Sequence, residues 1–212
     1  MCKNQDLTPA FSLLETMRLE GGHVPRLNRH LGRMAAAARH FGYRWDEQDV
    51  RLAVSSSSAS HADGSWRLRL LVAVDGVPTV ECTPYVRDTR SPWRLAFAAE
   101  PIDPDDPFLL HKTTQRIVYD TARHSRAGVD DVLLWNRRGE VTESTIANLV
   151  VEIGGVRYTP PVASGLLAGT FRAEQLEAGT IRERVLTKAD VIAARRLWLI
   201  NSVREWTDAV LV

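Results

Sequence analysis

The sequence predicts an α+β protein of two domains. The first half alternates extended and helical stretches in the order ββααββ, the second half is mostly strands with helices between them, and a proline-bearing stretch separates the two. That stretch, "RDTRSPWRLAFAAEPIDPDDPF", holds Pro92, Pro101, Pro104 and Pro107 around one apolar strand, "WRLAFAA". Proline fixes the backbone, so such a segment suits a semi-rigid connector. The expected division is a smaller N-terminal α+β domain over 1–102 and a C-terminal α+β domain over 108–212.

Each element has a local reason. "FSLLETMRLEGGHVPRL" reads as a strand, a Gly-Gly turn and a short extended piece. In "NRHLGRMAAAARHFGY", Leu31, Met34, Ala35, Ala38 and Phe41 follow helical spacing, Asn28 is the expected N-cap and Gly42 the stop. Asp46 can cap a second helix, with acidic residues in its first turn. "SSSSASHADGS" reads as a helix end and loop. "WRLRLLVAVDGVPTVECTPY" reads as a hairpin turning at Asp75-Gly76. Past the boundary, a helix is expected from Thr114 to near Gly128. Strands follow, with turns at Arg138-Gly139 and Gly154-Gly155. Then come a glycine-bearing turn into a helix at "SGLLAGTFRAEQL", and a strand, a short helix and two closing strands.

Composition excludes several classes of function. The 212 residues are 44% hydrophobic and 25% charged with a net charge of +1, the profile of a soluble globular protein. No global field draws in nucleic acid or a membrane surface. No apolar run approaches the roughly 20 residues that span a bilayer, and "MCKNQDLTPAF" lacks the basic start and apolar core of a signal peptide. Cys2 and Cys82 are far apart and read as free thiols of a reducing compartment, so the chain is expected in the cytoplasm. The histidines show no metal-ligand spacing. A GxSxG elbow, a Walker loop and a GxGxxG fingerprint are all missing.

Four segments remain that can carry chemistry. Lys112, in "LLHKTTQRIVYD", is either a surface charge or a nucleophilic amine able to form a Schiff base. Glu143, in "VTESTIANLV", lies among Thr142, Ser144, Thr145 and Asn148, short polar residues that can bond backbone locally or hold a carboxylate in a fixed orientation. A carboxylate aimed at a pyridinium nitrogen is what a pyridoxal phosphate enzyme needs. Gly165 and Gly169 precede a helix whose first N–H groups suit a phosphate. Arg33 lies on the first helix, where most arginines are simply solvated.

The order of these segments is more specific than any one of them. "ETMRLEGGHVPRLNRHLGRM", "HKTTQR", "GEVTESTIANL", "SGLLAGTFR" and "LINSVREW" occur in that sequence. The chain thereby resembles, over nearly its whole length, the class IV (fold type IV) pyridoxal phosphate aminotransferases, and most closely their aminodeoxychorismate lyase branch. The resemblance implies a D-amino-acid aminotransferase-like fold with pyridoxal 5'-phosphate between the domains. It implies that Lys112 forms the Schiff base and carries the catalytic proton, that Glu143 pairs with the pyridine nitrogen, and that Arg33 grips the phosphate. The amides around Thr170 and Phe171, and Ser202, also fall at the phosphate, and Tyr119 lines the cofactor pocket. Asn201, Arg18 and Arg116 are substrate candidates, with Arg204 a further one. The implied reaction converts 4-amino-4-deoxychorismate to 4-aminobenzoate and pyruvate, a step of folate biosynthesis. The alternatives are a branched-chain or D-amino-acid aminotransferase and a non-catalytic pyridoxal phosphate-binding protein. The resemblance further implies a homodimer and a functional link to aminodeoxychorismate synthase. Two departures stand out. Phe11 comes almost at once, where relatives first carry a strand pair with an Asn-Gly turn, and Phe171 replaces a threonine frequent among the aminotransferases.

Overall fold

A computed structural model describes residues 11–212; Cys2 lies outside them. The chain divides into two compact units.

The first unit comprises residues 11–85 and Lys112–Gln115. Strands β1 (Leu13–Glu20), β2 (Ser65–Val72) and β3 (Pro78–Pro84) form an antiparallel sheet in that order. Helices α1 (Leu27–Phe41) and α2 (Glu47–Ala59) complete the unit. Leu13, Met17 and Leu19 alternate along β1 and enter a core with Leu31, Met34, Val50, Val54, Leu68 and Leu70. The cap of α1 differs from expectation. Arg26, in the left-handed region at φ 61°, is the N-cap and uses no side-chain bond, while Asn28 lies inside the helix and accepts from Arg51. Asp46 does cap α2, accepting from the backbone N–H of Gln48 and Asp49. That helix runs through the serine stretch to Ala59, because Val50, Val54 and Ser58 are buried at intervals of one turn.

The expected helix start at Thr114 is also displaced. Thr114 instead exchanges bonds with Ser12: its N–H donates to the Ser12 carbonyl, and its hydroxyl accepts from the Ser12 N–H. Leu13 bridges Thr113, and the Leu14 N–H donates to the Lys112 carbonyl at 3.0 Å. Lys112–Gln115 is therefore bound to the edge of β1, and helix α4 begins only at Ile117.

The second unit comprises Val86–His111 and Arg116–Val212. The sequence reading placed residues up to 102 in the first domain. The structure differs because β4 (Trp93–Phe97) lies parallel to both β5 (Asp131–Trp135) and β12 (Glu205–Leu211). Nine strands are ordered β10-β6-β5-β4-β12-β11-β7-β8-β9, and β6 (Glu140–Ser144) also pairs with β7 (Asn148–Ile153). That pairing closes six of the strands, β6, β5, β4, β12, β11 and β7, into a barrel. Within it β5 and β7 are buried on both faces, as the continuous burial of Asp131–Leu134 and Asn148–Val151 shows. Here β8 is Val156–Thr159, β9 Arg182–Glu183, β10 Leu186–Thr187 and β11 Arg196–Asn201; the helices are α3 (Pro107–Leu110), α4 (Ile117–His124), α5 (Thr170–Glu177) and α6 (Lys188–Ala193). Thr187 and Asp190 form a capping box on α6.

Candidate active site

The barrel closure carries Glu143. It pairs across β6–β7 with Asn148, and its side chain is 4% exposed. A carboxylate so buried needs donors. Tyr119 Oη, from α4, donates to Oε1 at 2.8 Å; the Leu167 N–H donates to Oε1 at 3.1 Å; Asn148 Nδ2 donates to Oε2 at 3.1 Å. Burial, and secondly the charge of Glu143, push the Tyr119 phenol well above its usual pKa. Tyr119 therefore stays a protonated donor at neutral pH. Arg116 lies over the Tyr119 ring, 4.5 Å from its centroid, and donates to the Thr145 carbonyl. The Thr145 hydroxyl donates in turn to Asp131. This network braces the loop that joins β6 to β7.

Gly169 precedes α5, so the turn expected from "GLLAGTFR" opens a helix. Thr170 and Phe171 are buried. The Phe171 ring packs edge-on to Trp206, itself edge-on to Trp198, so Phe171 anchors the turn from the core and offers it backbone alone. Ser202 is buried in the turn after β11. Asn201 also braces that turn: its Oδ1 accepts from the N–H groups of Val203 and Arg204, and its Nδ2 donates to the Ile146 carbonyl beyond it. Arg204 stacks over Trp93.

In the first unit, Arg33 is not a solvated helix arginine. Its Nε donates to Glu15 Oε1 at 2.8 Å and a second guanidinium nitrogen to Oε2 at 2.7 Å, while His30 Nδ1 lies 2.7 Å from Oε2. Glu15 and His30 are fully buried. Burial alone would push the Glu15 carboxyl up; Arg33 and His30 outweigh it and hold it at about 2. Burial lowers His30 more than Glu15 raises it. Glu15 immediately follows Leu14, whose N–H holds the Lys112 backbone. The strand β1 thus fixes both the Arg33 guanidinium and the Lys112 segment. Arg18, further along β1, pairs with Glu20.

The structure therefore gathers Glu143, Tyr119, Thr170, Phe171, Ser202, Asn201 and Arg116 in the second unit, and Arg33, Lys112 and Arg18 in the first. Glu15, Asn148 and the Leu167 N–H are the supporting groups that sequence reasoning did not assign. Glu15 carried a readable signal. It falls between Leu13 and Met17 on the inward face of β1, where a lone charge requires buried partners.

The family model for class IV aminotransferases, "Amino-transferase class IV", matches residues 12–212. The chain belongs to this family. It is an enzyme of the lyase-or-aminotransferase kind, in a class whose cofactor is pyridoxal phosphate. A Schizosaccharomyces pombe protein provisionally named an aminodeoxychorismate lyase is 33% identical over 95% of this chain and 90% of its own length. Among solved structures, a Mesorhizobium loti protein provisionally named an amino-acid aminotransferase superposes with a TM-score of 0.88 at 35% identity, over 95% of this chain and all of that one. The 4-amino-4-deoxychorismate lyase of Pseudomonas aeruginosa has a TM-score of 0.77 at 21% identity, over 94% and 82%, which establishes the shared fold. Among the described residues no helix is long and apolar enough to cross a membrane, and no cluster of metal-ligating side chains is found.

Proposed function

We propose that this enzyme binds pyridoxal 5'-phosphate and cleaves 4-amino-4-deoxychorismate to 4-aminobenzoate and pyruvate. The observation that carries the cofactor assignment is Glu143, a deeply buried carboxylate whose oxygens are fixed by a phenol, an amide and a peptide N–H. Donors of that kind orient a carboxylate without neutralising it, which fits a cationic ring nitrogen. The glycine turn into α5 fits the phosphate, since the first amides of a helix and its dipole favour an anion.

When bound, pyridoxal phosphate supplies a protonated pyridine ring that withdraws electrons from the substrate carbon. Glu143 holds the proton at the ring nitrogen, and Tyr119 and Asn148 keep its carboxylate aimed. Lys112 Nζ anchors the cofactor and then moves the proton at the carbon bearing the substrate amine. Arg33, held by Glu15, and the amides at Thr170 and Phe171 bind the phosphate, with Ser202 beside them. Loss of that proton and of the neighbouring enolpyruvyl ether leaves an aromatic ring, which makes the cleavage favourable. The identity to the S. pombe protein supports the lyase reading. The same reading assigns the enzyme to the cytoplasm, as a homodimer linked in function to aminodeoxychorismate synthase, in folate biosynthesis. A second reading, an aminotransferase, is favoured by the likeness to the M. loti protein.

The test is to supply purified protein and pyridoxal phosphate with 4-amino-4-deoxychorismate, and separately with pairs of amino and oxo acids. Equal amounts of pyruvate and 4-aminobenzoate, lost in Lys112→Ala, are expected. Amino-group exchange without pyruvate would replace the lyase with the aminotransferase.

A further inference from the structure

We infer that Asn148 is a positioning residue, a strut between the carboxylate and the phosphate turn, and that residue 169 is glycine because of it. The inference rests on the cofactor reading above and concerns how this chain couples the two ends of that site.

Asn148 begins β7 at the barrel closure, opposite Glu143 on one side and Ile200 on the other. Its side chain is buried. Nδ2 donates to Glu143 Oε2 at 3.1 Å and to the Leu167 carbonyl at 2.9 Å, which uses both of its protons. The Leu167 N–H returns to Glu143 Oε1. Carboxylate, amide and the backbone of residue 167 thus close a ring of hydrogen bonds just before the turn into α5.

The other end of the amide faces that turn. A Cβ built on Gly169 would lie 1.9 Å from Asn148 Oδ1 and 3.2 Å from its Cγ. The next neighbour, Arg172 Cβ at 3.4 Å, is near ordinary contact. Gly169 has φ −64° and ψ 136°, a conformation open to any residue. The glycine therefore answers to space and not to backbone strain. An amide at the end of a side chain could normally swing aside from a methyl group. Here swinging aside breaks the two bonds that hold Glu143 and residue 167. The demand for glycine at 169 is thus conditional on the asparagine at 148, and a group added at the phosphate turn is felt at the ring-nitrogen acid.

Four proteins test this: wild type, Gly169→Ala, Asn148→Ala and the double variant. Two quantities are read on each: the melting temperature without cofactor, and the dissociation constants of pyridoxal phosphate and of inorganic phosphate as its competitor. Gly169→Ala alone is expected to lower the melting temperature by several degrees and to weaken pyridoxal phosphate at least tenfold. Added to Asn148→Ala, the same substitution is expected to change either quantity little. Asn148→Ala is expected to weaken pyridoxal phosphate several-fold more than inorganic phosphate, since the inorganic ion has no ring for Glu143 to meet. Additive losses would overturn the inference. Equal loss of the two ligands would reduce Asn148 to a packing residue and overturn its positioning role. If Gly169→Ala does not fold, the double variant is expected to fold, and failure of both again overturns the inference. If wild type does not take up pyridoxal phosphate at all, the cofactor reading fails, while the melting temperatures still decide the link between residues 148 and 169.

Discussion

Two buried carboxylates, Glu15 in the first unit and Glu143 in the second, are anchored by different chemistry. Glu15 meets a guanidinium on both oxygens and an imidazole on one. The donors described for Glu143 are a phenol, a side-chain amide and a peptide N–H. A charged partner neutralises a buried carboxylate and builds a structural pair. Neutral donors fix the oxygens without themselves cancelling the charge. Under the proposed function, the difference separates a carboxylate that holds Arg33 in place from one that meets the cofactor.

The largest effects test that separation. Glu143→Gln keeps shape and volume but loses the charge. It is expected to reduce kcat/KM by roughly 10²–10³-fold, the scale of losing one fixed electrostatic contact to the reacting system, with little change in melting temperature. Glu15→Gln is expected to do the reverse. Leaving Arg33 beside a neutral group costs about 3–5 kcal/mol, which lowers the melting temperature by about 10 °C in a chain of this size. Its kcat at saturating cofactor should suffer far less than that of Glu143→Gln. Similar outcomes for the two variants would erase the distinction.

Acid should expose the same asymmetry. The folded state holds Glu15 at about 2, below the usual carboxylate value, so the unfolded state binds the proton more readily as pH falls. This contribution is fully present above the ordinary carboxylate pKa and is lost from about pH 5 down toward 2. His30, lowered by burial, acts in the same direction from just above pH 6 downward, because the unfolded imidazole takes a proton that the buried one resists. Melting temperatures measured from pH 7 to 3 should therefore fall, and fall less steeply in Glu15→Gln. A parallel decline would remove Glu15 from the acid response.

The smallest expected effect is that of Tyr119→Phe. It deletes one of the donors to Glu143, worth about 1 kcal/mol. Pyridoxal phosphate affinity should drop roughly fivefold on that scale, as read by titration of the cofactor's absorbance. No change would mean that Asn148 and the Leu167 N–H orient Glu143 without the phenol.

How much of this was legible in the sequence follows from the range of each interaction. The order of the Lys112, Glu143 and "GLLAGTFR" segments was readable because each is a short local pattern. The ββααββ reading captured β1, both helices and the β2–β3 hairpin of the first unit, since those follow from residue spacing, but the extended piece it placed after Gly21-Gly22 is only an isolated bridge from His23 back to Glu20. The second helix was expected to end within the serines at 55–58; it runs on to Ala59, because serine is a weak helix former and the burial of Val50, Val54 and Ser58 decides the matter. The start of α4 was missed because Thr113 and Thr114 are claimed by residues 12 and 13, a hundred positions away. Residues 86–102 were assigned to the first domain because nothing local reveals that β4 pairs with β12 at the other end of the chain. Arg33 could be named from its segment, but its clamp on Glu15 depends on the packing of α1 against β1. Asn201, named as a substrate candidate, closes a turn that only the β11–β12 pairing creates.

The decisive measurement is the visible absorbance spectrum of the purified protein with pyridoxal phosphate, recorded beside that of Lys112→Ala. A band from lysine-linked cofactor in the wild type, absent from the variant, is the expected result and ties the cofactor to Lys112. A wild type with no such band, or a band that survives the loss of Lys112, would contradict the assignment of this site.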